Sequence, residues 1–170
     1  MILGMSISAF TSLHVVLSLI GIVAGLVVVI GMLRSKAANG WTALFLATTV
    51  LTSATGFLFP HDRVLPSHIV GVISLVVLAI AIAALYGYRL ARSWRWIYVV
   101  TAVLALNLNV FVLVAQAFLK VAFLNALAPT QSDPPFIIAQ LVVMVIFVVL
   151  GIRAVRSFHP EGNPLTLRPV

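Results

Sequence analysis

Five long apolar runs, at about residues 9–33, 41–59, 67–88, 95–119 and 136–157, dominate the chain, and short polar or basic segments separate them. Each run holds about 19 to 25 residues, enough for a helix to cross a ~30 Å hydrocarbon core at ~1.5 Å per residue. The pattern predicts an all-α polytopic membrane protein: a bundle of five transmembrane helices forming one domain over residues 1–157. Residues 158–170, with Pro160, Pro164 and Pro169, are expected to form a disordered cytoplasmic tail.

The first run is too long for a signal-peptide core and is followed, not preceded, by its basic residues Arg34 and Lys36, so it reads as a retained span. Ser18, Gly21 and Gly25 give it a small-residue face suited to close helix approach. In the second run Thr48, Thr52 and Thr55 share one helical face, with Thr49, Ser53 and Gly56 beside it, a surface better matched to other helices than to lipid. Pro60 ends that run, and the segment PHDRVLP reads as a tight turn. The third run opens on Ser67 and His68 and leads into YGYRLARSWRWIY, a mixture of arginine and aromatics typical of a membrane interface. Within the fourth run lie Asn107, Asn109 and Gln116, where hydrocarbon normally admits apolar side chains. Prolines 129, 134 and 135 then interrupt the chain before the fifth run, which carries Gln140 near its start.

Composition agrees with this class and narrows it. The chain is 63% hydrophobic and 8% charged with a mean hydropathy of +1.24, against about 25% charged residues in soluble domains. The net charge of +7 does not indicate nucleic acid, because the basic residues fall in clusters between spans. With the N-terminus outside, the inner segments hold eight of the ten, Arg34, Lys36, Arg89, Arg92, Arg95, Arg153, Arg156 and Arg168, and the outer ones hold Arg63 and Lys120. That imbalance predicts an N-out, C-in topology. Cysteine is absent, which removes disulfides and thiolate chemistry, and the three acids, Asp62, Asp133 and Glu161, all lie outside the apolar runs.

On this topology His14, Thr55, His68, Gln116 and Gln140 fall roughly 7 to 15 Å outward of the midplane, one from each span. Such groups either hydrogen-bond across helices or line an outward-facing pocket. Asn109 shares a face with Gln116, whereas Asn107 is turned about 200° from Asn109, so the two amides belong to different surroundings. His14, Thr55, Asn109, Gln116 and Gln140 are therefore the candidate ligand-binding residues. His14 and His68 are the one pair within spans able to supply two axial ligands to a b-type haem. No tight metal-ligand spacing, phosphate loop or nucleophile motif occurs.

The segments TSATGFLFP (52–60), LNVFVLVAQAFLKV (108–121) and NALAPTQSDPPF (125–136) resemble a group of short proteobacterial membrane proteins usually described as hypothetical. The resemblance covers nearly all of residues 9–157 and implies a bacterial inner-membrane location, with no activity attached. In those relatives the residue two before Asn109 is more often aromatic, which marks Asn107 as a departure and favours Asn109 as the functional amide.

The expected function is a non-enzymatic inner-membrane protein that binds a small apolar or amphipathic ligand, lipid or quinone-like, or a partner subunit, through an outward-facing pocket. Alternatives are a membrane redox protein with haem or quinone near His14 and His68, and a small transporter or channel subunit. The lipid bilayer is the expected partner, and a homo-oligomer or an accessory role in a larger complex fits the same sequence. Because the chain has no cysteine of its own, topology has a direct test. A membrane-impermeant maleimide applied to intact spheroplasts should label a Gln131→Cys protein and spare Ala91→Cys; the reverse pattern would invert the topology.

Overall fold

The structure is a computed structural model that describes residues 4–59 and 66–160, and no strand forms among them. Helix α1 covers Ile7–Leu33 and begins at Ser6, whose side chain accepts a hydrogen bond from the Ala9 amide at 3.2 Å, the usual way to satisfy an open first turn. Helix α2 is Asn39–Gly56, and α3 is Pro66–Ile82, continued by a π-helical turn at Ala83–Gly87. Helix α4 is Trp94–Lys120, α5 the short Ala122–Leu127, and α6 Pro134–Ser157. Among the described residues four helices are long and apolar enough to cross a membrane: α1, α3 with its π turn, α4 and α6. The architecture is that of a multi-pass helical membrane protein. With 18 residues and a series of threonines, α2 lies below that apolarity, and it packs as a full member of the bundle.

Helix α1 makes its most extensive contact with α2, and α4 touches α1, α3 and α6. Small residues allow these approaches. On α1, Gly21, Ala24 and Gly25 are buried; on α4, Ala102 and Ala105; on α3, Ala81. In a bilayer no hydrophobic force draws helices together, so close van der Waals contact between small residues must supply much of the attraction. Gly25 shows how tight the contact is. A Cβ there would stand 2.7 Å from Leu106 Cδ1 and 2.9 Å from the Phe45 ring. The core on the C-terminal side of Gly25 along α1 is filled by Phe45, Leu106, Val28, Met32 and Val99, all buried.

The two ends are closed differently. At one end the Tyr88 ring stacks on Trp94 with centroids 3.7 Å apart, the Arg95 guanidinium donates to the Phe158 carbonyl, and Ser35 exchanges hydrogen bonds with the His159 backbone. Phe158 is buried there, while residues 161–170 of the expected tail lie outside the described residues. At the other end the chain breaks at Val121, forms α5, and turns at Thr130, whose amide and hydroxyl both donate to Asp133 Oδ2. Phe118 packs edge-on against Phe136 to hold this connection to the bundle. His61, Asp62 and Arg63, in the expected turn, lie outside the described residues.

Helix α6 is the most exposed of the long helices, with Phe136, Phe147 and Ala154 its buried residues and apolar side chains covering the rest. Such a surface is stable against lipid and not against water. The α1 contact gives a stability test. Gly25→Val should cost about 1–3 kcal/mol by overpacking, whereas Gly40→Ala, with nothing within 4 Å of its Cβ, should stay within about 0.5 kcal/mol of the parent. Unfolding in mixed micelles measures both.

Candidate functional site

Asn109 sits on the face of α4 turned to α1 and α2, and it is 7% exposed. Its Oδ1 accepts a hydrogen bond from Ser18 Oγ at 3.0 Å. Its Nδ2 turns toward Gly21, where the missing side chain makes room: a Cβ at Gly21 would lie 3.3 Å from Asn109 Nδ2 and 3.1 Å from both Thr48 Oγ1 and Thr49 Oγ1. Thr48 returns its proton to the Leu44 carbonyl at 2.7 Å. Thr49 Oγ1, Thr52 Oγ1 and Asn109 Nδ2 are buried and lack partners. Three elements thus bring a polar knot together in the middle of the membrane domain, with surplus hydrogen-bonding capacity.

One turn before Ser18 on α1, toward the N-terminus, stands His14. Its Nδ1 lies 2.9 Å from Thr55 Oγ1, and Thr55 donates its own proton back to the Leu51 carbonyl at 2.7 Å. A hydroxyl has one proton to give. With that proton on the Leu51 carbonyl, Thr55 accepts from His14, so the neutral ring carries its proton on Nδ1 and Nε2 is an acceptor. The ring also meets Phe59 edge-on at 5.3 Å, and Phe59 in turn meets Phe10. Opposite, His68 on α3 stacks on Phe57 at 5.7 Å. Ser53 donates to Ser74 at 3.0 Å and ties α2 to α3 below it.

These side chains surround two adjoining spaces. A small chamber of about 90 Å³ is lined by His14, Thr52, Ser53, His68, Ser74 and Asn109 among others. A larger cleft of about 550 Å³ opens between α1 and α4. Its apolar walls are Val15 and Leu19 on one side and Val112 and Leu113 on the other, and its polar groups are Thr11, His14, Ser18, His68, Gln116 and Lys120. Chamber and cleft share His14, Gly56, His68 and Val112. Val15, Leu19, Leu113 and Gln116 are exposed on the bundle surface, so the cleft faces sideways, toward where lipid would be.

The residues singled out from the sequence divide accordingly. His14 and Gln116 line the cleft, Asn109 lines the chamber, and Thr55 stands behind His14 as its hydrogen-bond partner. His68 joins His14 in both spaces. Gln140 lies elsewhere: its Nε2 donates to the Phe111 carbonyl at 3.1 Å, between α6 and α4. Asn107 lines a separate apolar groove of about 400 Å³ between α4 and α6, consistent with its 200° turn from Asn109. The apolar walls and Phe59 carried no signal in the sequence, since a valine or leucine in a span looks the same whether it meets lipid or a cavity. Among the described residues no three His, Asp or Glu side chains gather as a metal site would require.

Comparison with protein-family models, with curated proteins and with solved structures found no match to this chain. What the site does must be argued from its geometry. The Ser18–Asn109 bond offers the first test: in a double-mutant cycle of Ser18→Ala and Asn109→Ala, the coupling should be about 0.6 kcal/mol and at most ~1.7 kcal/mol, the span measured for such bonds in membranes. Additive losses would mean that the bond contributes nothing.

Proposed function

We propose that the chain is a five-span protein of a bacterial inner membrane, N-terminus outside, that binds a small apolar or amphipathic molecule drawn from the bilayer. In this arrangement α2 is the fifth span: its 18 residues extend ~27 Å, and Thr42, Thr48 and Thr49 are turned into the protein and buried. The positive residues then gather inside and the cleft opens in the outer half.

The observation that carries the proposal is the sideways cleft itself. Its lower walls are aliphatic, its inner corner is polar, and Lys120 and Gln116 stand at its outer end. A ligand site is typically an apolar concavity with a few placed polar groups, and this one accepts a lipophile without exposing it to water. Its volume of about 550 Å³ lies within the usual ~300–1,000 Å³ of ligand pockets. Inward of Asn109 the bundle is closed by Phe45, Leu106 and Val28, all buried, which favours a binding site over a through-going path. No side chain in the cleft is arranged as a nucleophile with its base, so binding and not turnover is the activity proposed.

A second reading has a specific observation in its favour. His14 and His68 line the same two spaces from different helices, which is the arrangement a bis-histidine haem needs. One purification separates the two. Protein extracted in mild detergent should be colourless and should release a lipophilic molecule detectable by mass spectrometry. Ala117→Trp, which fills the cleft, should lose that molecule several-fold, while Ala79→Trp on the exposed face of α3 keeps it. A Soret band lost in His14→Ala would decide for haem, and equal lipophile content in all three proteins would dismiss the cleft.

A further inference from the structure

The hydrogen bonding of His14 narrows the ligand further, given the cleft proposed above. Its Nδ1–H is committed to Thr55, because the Thr55 proton is committed to the Leu51 carbonyl. Nε2 is therefore a lone-pair acceptor in the neutral ring, and no hydrogen bond to it forms within the described chain. It is on a ring that borders both the cleft and the chamber. An acceptor at the polar corner of an apolar cleft selects a donor. Carboxylate or phosphate ends supply acceptors only, and an ammonium end would meet the like charge of Lys120 at the mouth. A neutral hydroxyl satisfies both conditions.

We infer that the cleft takes a lipophile whose polar end is a neutral hydroxyl, a lipid alcohol or a phenol, donating its proton to His14 Nε2 while its apolar body lies between Val15 and Leu19 of α1 and Val112 and Leu113 of α4. Thr55 does not touch this ligand. It is a positioning residue that holds the imidazole in the tautomer able to accept. The neighbouring side chains fit the assignment: Ser18 is engaged with Asn109 and Ser53 with Ser74, so neither competes for Nε2. The charged and titratable groups facing the cleft are His68 on α3 and Lys120 on α4.

The full chain in nanodiscs, labelled with ¹⁵N-histidine, tests this with hexadecanol as probe and hexadecyl methyl ether as its donorless counterpart. The resonance of His14 Nε2 is identified by its loss in His14→Gln. Hexadecanol should move that resonance in the direction of an accepted hydrogen bond, and the ether should leave it in place and displace radiolabelled hexadecanol poorly. Thr55→Val should weaken hexadecanol binding about fivefold or more through loss of the preset tautomer, and Thr55→Ser should restore it. If the ether competes as well as the alcohol and the resonance stays fixed, the hydroxyl assignment is wrong while the cleft stands. If hexadecanol binds the parent no better than Ala117→Trp, the cleft itself is refuted and the assignment with it.

Discussion

The structure depends on how closely α1 can lie against α2 and α4. Gly21 and Gly25, one turn apart, are the points of approach: a side chain at Gly25 would collide with what lies opposite, and one at Gly21 would be crowded by it. At Gly25 the opposing groups are Leu106 and Phe45, both buried, so the contact is apolar. At Gly21 they are Thr48, Thr49 and Asn109, so the same device holds polar atoms near one another. One geometric constraint thus builds an apolar contact at Gly25 and, beside it, a polar one at Gly21.

The polar groups would be costly if they faced hydrocarbon, where an unsatisfied donor or acceptor loses several kcal/mol. Most are satisfied inside the chain: Ser18 with Asn109, Ser53 with Ser74, His14 with Thr55, Gln140 with the Phe111 carbonyl. Of those left over, Thr52 Oγ1 and Asn109 Nδ2 belong to residues that line the chamber and Thr49 Oγ1 lies near Asn109 across Gly21, while Gln140 Oε1 stands apart between α6 and α4. Buried groups with spare capacity next to an enclosed space are where bound water or the polar end of a ligand gains most. The arrangement costs stability locally, and it is tolerated because the glycine contact beneath it holds the helices in place.

Much of this was legible in the sequence, for physical reasons that also explain what was not. Apolar runs and their flanking charges report helices and membrane class directly, because the bilayer imposes length and composition. The opposite directions of Asn107 and Asn109 followed from 100° per residue, and the two amides do lie in different cavities. Depth along a helix is likewise additive, so His14 and Thr55 could be assigned one level. Azimuth between helices is not additive. Whether Gln140 reaches the level of His14 on the same side depends on how α6 rotates against α4, and it bonds Phe111 instead. The cleft walls were invisible for the same reason, since they are created by the crossing of α1 and α4 and by no residue type.

On the proposed reading, the space between α1 and α4 is a site for a lipophile and not a packing gap. The most direct measurement is an experimental structure of the protein in native-lipid nanodiscs, at a resolution that shows individual lipid chains. It should show elongated density between Val15 and Leu19 on one side and Val112 and Leu113 on the other, ending at hydrogen-bond distance from His14 Nε2. A cleft closed by inward rotation of α1, or filled by the protein's own side chains with no density against His14, would contradict it.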